Sequence, residues 1–228
     1  YSADGHAGRL LACVFVGTMA FNMQDVLLEP YGGEILGLSV AATTTLTALW
    51  AFGALTGFIW AGARLARGSN AYRLAGGGIL AGIWAFSLVI FAAPTQVTAF
   101  FYTGALLFGV GGGFFAFSTL SPAMSLPTSA RAGRGLALGA WGAAQATAAG
   151  VAIAAGGALR DWVGGIAENG TWGEALASPA TGYSFVYHFE IGLLFATLVI
   201  LGPLVRRSGP LTPPKSETRP LGLADFPT

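Results

Sequence analysis

Runs of about 20 apolar residues, each long enough to cross roughly 30 Å of hydrocarbon, recur along this chain and leave few folds open to it. We read six of them, at 10–28, 38–62, 72–92, 97–119, 136–158 and 183–205. A backbone inside lipid must satisfy its own hydrogen bonds, and segments this long and continuous do so as helices rather than barrel strands. Of the 228 residues 54% are apolar and only 9% charged, too little charge to cover a soluble domain of this length. The expected fold class is an all-α polytopic membrane protein with six transmembrane helices. The first run is too long for a secretory signal, and no small-residue cleavage site follows it.

Charge orients the bundle. Six spans put both ends on one side, together with the second-to-third and fourth-to-fifth connections. That side receives Arg9, Arg64, Arg67, Arg73, Arg131, Arg134, Arg206, Arg207, Lys215 and Arg219, whereas the other receives Arg160 alone. The positive-inside rule makes the basic side cytoplasmic. Residues 1–9 read as a polar cytoplasmic lead-in, 10–205 as the transmembrane domain, and 206–228, rich in proline, as an extended cytoplasmic tail. Six spans are half of a common transporter plan, so the chain reads as one half of a longer protein. The arginines form short clusters at span ends, suited to anionic headgroups and not to nucleic acid. Cys13, the single cysteine, reads as a small buried apolar residue.

The spans differ in texture. The fifth is almost free of large side chains, with Gly135, Gly139, Gly142, Ala146 and Gly150 at helical spacing, and is expected to be buried among other helices. Gly53 and Gly57 suggest the same close approach in the second span, Gly109 and Gly113 in the fourth. The third and sixth carry Trp84, Phe86, Val89, Ile90 and Phe91, and Phe195, Leu198, Val199, Ile200 and Leu201, as faces for lipid or a partner.

Acids at a membrane edge are the main candidates for function, because each costs a few kcal/mol near hydrocarbon unless paired or wetted. Gln24, Asp25, Glu29, Tyr31 and Glu34 form a polar cluster at the outer mouth, serving as a gate or a docking point. Asp25 and Glu29 are four apart and share a helix face, Pro30 reads as the helix stop, and Gly32-Gly33 as the turn. Ordinary interfacial solvation is the competing reading. Glu190 is expected to pair with a donor on another helix, from Gln145 or Arg160, and Arg160 with Asp161. His188 lies about 200° from Glu190 around the sixth helix. It is either hydrogen-bonded between helices or an axial ligand to a chlorin magnesium. Trp50 and Trp141 sit deep enough to flank a flat ligand. No phosphate loop, paired-cysteine or histidine metal site or nucleophile triad is visible, so neither an enzyme nor a protein-bound metal is expected.

Four segments, 22–34, 42–50, 138–150 and 186–195, resemble the PucC/LhaA family of phototrophic bacteria, which is related to the major facilitator transporters. The resemblance covers residues 10–207 and corresponds to the second six-helix half of such a protein. It implies an assembly factor for light-harvesting antenna complexes in the intracytoplasmic photosynthetic membrane. Its partners would be antenna polypeptides, with the reaction-centre complex as a further one. Bacteriochlorophyll would be the cofactor handed over, with carotenoid or lipid as further candidates. The loop 62–73 keeps the cations of the facilitator signature but lacks its acid, which favours a scaffold over a pump. A proton-coupled transporter of a pigment precursor, with Asp25, Glu29 and Glu190 as its protonatable groups, is the alternative.

Overall fold

Ser39 and Asn70 open two of the long helices in the same way, each offering a side-chain oxygen to the first free backbone N–H groups. Ser39 accepts from Ala42 N at 3.3 Å, and Asn70 from Tyr72 N and Arg73 N at 3.0 and 3.2 Å. The computed structural model describes residues 2–124 and 131–207. In chain order these form α1 (Ser2–Asn22), a 3₁₀ turn (Met23–Val26), α2 (Leu28–Glu34), α3 (Val40–Ala66), α4 (Ala71–Thr95), α5 (Thr98–Met124), α6 (Arg131–Glu168) and α7 (Ala180–Arg207). There is no strand among the described residues. Six segments are long and apolar enough to cross a membrane, the first being α1, the turn and α2 together. The tail expected over 206–228 lies, beyond Arg207, outside the described residues.

Two boundaries differ from the reading of the sequence. Residues 2–9 belong to α1 instead of a separate lead-in, and α6 runs ten residues past 158 to Glu168. Gly164 and Gly165 do not end it, since an isolated glycine costs a helix only about 1 kcal/mol.

α5 is gripped between α3 and α4. A methyl group at Gly109 of α5 would lie 2.7 Å from the Ala54 backbone nitrogen on α3, so only hydrogen fits there. On the other side Gly78 of α4 and Gly111 of α5 face one another, each within 2.8 Å of the other's carbonyl if given a Cβ. Close backbone approach of this kind supplies van der Waals contact where lipid removes the hydrophobic drive. Around these contacts Phe86, Phe101, Phe108 and Phe115 are buried, with Phe86 and Phe108 edge-to-face at 4.3 Å.

Most of the neighbours repeat, although the contact of α6 with α7 has no comparable counterpart between α3 and α4. α1 touches α6 and α7, whereas α5 touches α3 and α4, and α4 meets α7. Exchanging the first three spans for the last three maps each of these pairs onto another or onto itself. An odd number of spans per triplet makes the two run in opposite directions across the bilayer, as in inverted repeats.

The expectation that α6 is buried is corrected. Gly135, Gly139, Gly142 and Gly150 meet nothing that a Cβ would touch, and only lower down does Gly156 close against the Met23 carbonyl. The small residues would permit close packing, but among the described residues no helix lies along that face. The bulky faces of α4 and α7 divide: Trp84, Phe91, Phe195 and Val199 point outward, whereas Phe86, Val89 and Leu201 belong to the core.

Candidate functional site

The acidic segment after the first span is shaped by Pro30. Its ring nitrogen has no hydrogen to give the Val26 carbonyl, and the ring would collide with that carbonyl in a continuous helix. The chain therefore leaves α-helical pairing one turn earlier, at Met23–Val26, and restarts at Leu28 with Pro30 in the first turn of α2, where no donor is needed. This corrects two expectations. Pro30 begins a helix instead of ending one, and the reversal comes at Gly37, which takes φ +65°, instead of at Gly32-Gly33. The break also removes the helical phase that would have put Asp25 and Glu29 on one face.

The break frees a backbone donor. Gln24 N–H donates to Glu190 Oε1 of α7 at 2.7 Å, and Glu190 is wholly buried. Neither Gln145 nor Arg160 fills that role, because a backbone N–H unhooked from its ladder reaches the carboxyl first. Three further buried oxygens here lack a partner: Glu190 Oε2, Gln24 Oε1 and the Tyr187 hydroxyl. The Gln24 amide nitrogen instead holds Asp25 Oδ1 at 2.5 Å.

The remaining members of the cluster disperse. Glu29 accepts from the Thr47 hydroxyl of α3 at 2.5 Å on the surface. Tyr31 is fully buried, its ring 5.4 Å from those of Tyr183 and Tyr187 and its hydroxyl 3.3 Å from the Val89 carbonyl. Glu34 Oε2 takes hydrogen bonds from Arg160 at 2.8 Å and from the Tyr183 hydroxyl at 2.8 Å. Arg160 also holds Asp161 at 2.9 Å and lies over the Tyr183 ring, 4.5 Å from its centroid. One arginine thus fastens α2, α6 and α7 at one end of the bundle. The five cluster residues serve four contacts instead of one pocket.

The candidate pigment contacts are not gathered either. Trp50 and Gln145 stand, with Thr18 and Asn22, on the wall of an open cavity of about 420 Å³ between α1, α3, α5 and α6. Thr18 is buried there with its hydroxyl unpartnered. Trp141 is half-buried and its indole N–H is 3.4 Å from Thr119 Oγ1. His188 faces outward from α7, its Nδ1 2.7 Å from the Ser184 carbonyl oxygen, away from Glu190 on the packed side. Among the described residues no group of three His, Cys, Asp or Glu is arranged to hold a metal ion.

A family model described as PUCC protein matches residues 1–209. The chain belongs to the PucC family. A protein of Rhodobacter capsulatus, described as an uncharacterized protein in the puhA-bchM intergenic region, is 55% identical over 229 residues, covering all of this chain and 47% of the relative. Protein PucC of Rhodovulum sulfidophilum is 48% identical over 163 residues, 72% of this chain and 36% of its own. Protein PucC of Cereibacter sphaeroides is 43% identical over 196 residues, 86% of this chain and 41% of its own. The chain spans less than half the length of each of these relatives. No solved structure matches it.

Within this PucC-family chain, two contributors escaped the sequence reading. Tyr183 completes the Arg160–Glu34 contact, and the Gln24 main chain completes Glu190. Pro30 carried part of the signal for the second, since it breaks the helix ahead of it and a restarting turn leaves its first N–H groups without intrahelical partners. Nothing in the pattern around Tyr183 singled it out.

Proposed function

We propose that this chain is the second half of an assembly factor for bacterial light-harvesting complexes, guiding antenna polypeptides and handing bacteriochlorophyll to them. The match to the family over residues 1–209, with PucC relatives at 43% and 48% identity, carries this reading. The exposed aromatic faces of α4 and α7, with Trp84, Phe91 and Phe195 outward, suit lateral contact with other transmembrane helices. The cytoplasmic placement of both ends follows from the ten-to-one split of cations, and the exchange of neighbours between triplets favours a facilitator-type bundle. The membrane is the photosynthetic inner membrane. Deleting the gene for the full-length protein and recording membrane absorption tests the reading. Loss of antenna bands, restored by the intact gene, is expected; unchanged bands overturn it.

A second reading rests on the cavity. An open hollow of about 420 Å³, with the buried carboxyl of Glu190 bonded to the broken end of a cavity-lining helix, suits proton-coupled transport of a small apolar molecule. Glu190→Gln abolishing vesicle uptake while antenna assembly stays normal would support it. Absence of uptake by the unaltered protein would remove it.

A further inference from the structure

We propose that the outward face of α7 around His188 binds a magnesium tetrapyrrole, with His188 Nε2 as axial ligand to the metal. The geometry of the ring comes first. A carbonyl only accepts, so in the 2.7 Å contact with Ser184 O it is Nδ1 that carries the hydrogen. Nε2 is then the lone-pair nitrogen. Ligating histidines are held in this way, the far nitrogen tied to a carbonyl and the near one aimed at the metal.

His188 also lies where such a nitrogen needs a partner. It is exposed, and stands five residues, about 7.5 Å along the helix, inward of Tyr183 in the outer polar layer. An uncapped acceptor facing hydrocarbon is costly. The other half of the protein is a poor candidate to cover it. The bare small-residue face of α6 and the cavity are bordered by α1, α3, α5 and α6, whereas His188 points away from the neighbours of α7, which are α1, α4 and α6.

The surroundings fit a flat ring. The positions one turn to either side are Ser184 and Gly192, and nothing stands within 4 Å of where a Cβ on Gly192 would be. A disc ligated at Nε2 would extend over these positions, and the open space at Gly192 leaves room for it. Phe185, Phe189 and Phe195, each exposed, offer apolar rims. A bare ion would find one protein donor here and no group of three nearby. A metal already held by four ring nitrogens needs one axial donor and an apolar bed, and this face supplies both. The choice of magnesium as the metal rests on the proposed role in antenna assembly.

The full-length protein in mild detergent, titrated with bacteriochlorophyll and read by induced circular dichroism, tests the site. We expect binding by the unaltered protein and by Ser184→Ala, which keeps the carbonyl. His188→Leu and Gly192→Phe should each weaken it at least about tenfold. Magnesium-free bacteriopheophytin should bind as poorly as bacteriochlorophyll binds the His188→Leu protein. Both altered side chains face outward, so unchanged melting is expected to accompany the loss. Equal binding by His188→Leu, or by the magnesium-free pigment, overturns the site. Antenna absorption in the same strains separates this from the assembly reading. Unchanged pigment binding by His188→Leu, with antenna lost on gene deletion, overturns the site alone. Binding through His188, with antenna intact on deletion, supports the site and overturns the assembly role.

Discussion

The backbone nitrogen of Gln24 and the carboxyl of Glu190 meet at 2.7 Å across 166 residues of sequence, joining the broken first span to the last. The contact works only because the helix is interrupted; in an unbroken helix the Gln24 N–H would be spent on Ala20. Glu190→Gln keeps an acceptor for Gln24 N–H and adds a donor for the unpartnered Gln24 Oε1. It should melt within about 1 kcal/mol of the unaltered protein, whereas Glu190→Leu strands a buried N–H and should cost about 1–3 kcal/mol. Thermal unfolding in detergent reads the difference.

Arg160 and Glu34 are 28% and 52% exposed, so their contact is expected to be weak despite its 2.8 Å length. A double-mutant cycle of Arg160→Ala and Glu34→Ala should return about 0.2–1 kcal/mol of coupling. The value should fall in high salt, because exposed charges are screened. Coupling that is larger and indifferent to salt would show a drier site than the structure has.

Two glycines predict opposite outcomes for one substitution. Gly109→Ala pushes a methyl into the α3 backbone and should cost about 1–3 kcal/mol. Gly150→Ala enters open space on α6 and should stabilise this half by up to about 1 kcal/mol through helix propensity. If the rest of a longer protein lies on α6, as the proposed function implies, Gly150→Leu in that protein should weaken its packing there while Gly150→Ala in this chain remains benign.

Orientation is open to labelling. Arg67→Cys, after α3, and Asn169→Cys, after α6, are both exposed and lie on opposite sides of a six-span bundle. An impermeant maleimide added outside spheroplasts should label Asn169→Cys and spare Arg67→Cys. The native Cys13 has no exposed surface and should react only on unfolding, so it gives no background.

The six helices could be read from sequence because each is an uninterrupted apolar run, and hydrocarbon leaves such a run one structure. What failed was tied to partners. Gly135 to Gly150 is built for close packing, and composition cannot say whether the partner belongs to this chain. Pro30 reads as a stop because its missing hydrogen breaks the helix behind it. The same missing hydrogen is harmless in a first turn, so the chain resumes at once as α2. Glu190 needs a donor, and a sequence displays only the side-chain candidates for one. The donor that fills it is main chain and becomes available only after the break is known. His188 and Glu190 on opposite faces followed from the 100° turn of the helix alone, and one is outward and the other buried.

The break at Met23–Val26 has a consequence for the order in which the protein is made. The segment that contains Gln24 leaves the ribosome 166 residues ahead of its carboxyl partner on α7. Until α7 enters the membrane the freed N–H has only water or headgroups to bond. The broken span must therefore wait in an unfinished state, and its contact is latched by α7, the later of the two helices to be synthesised.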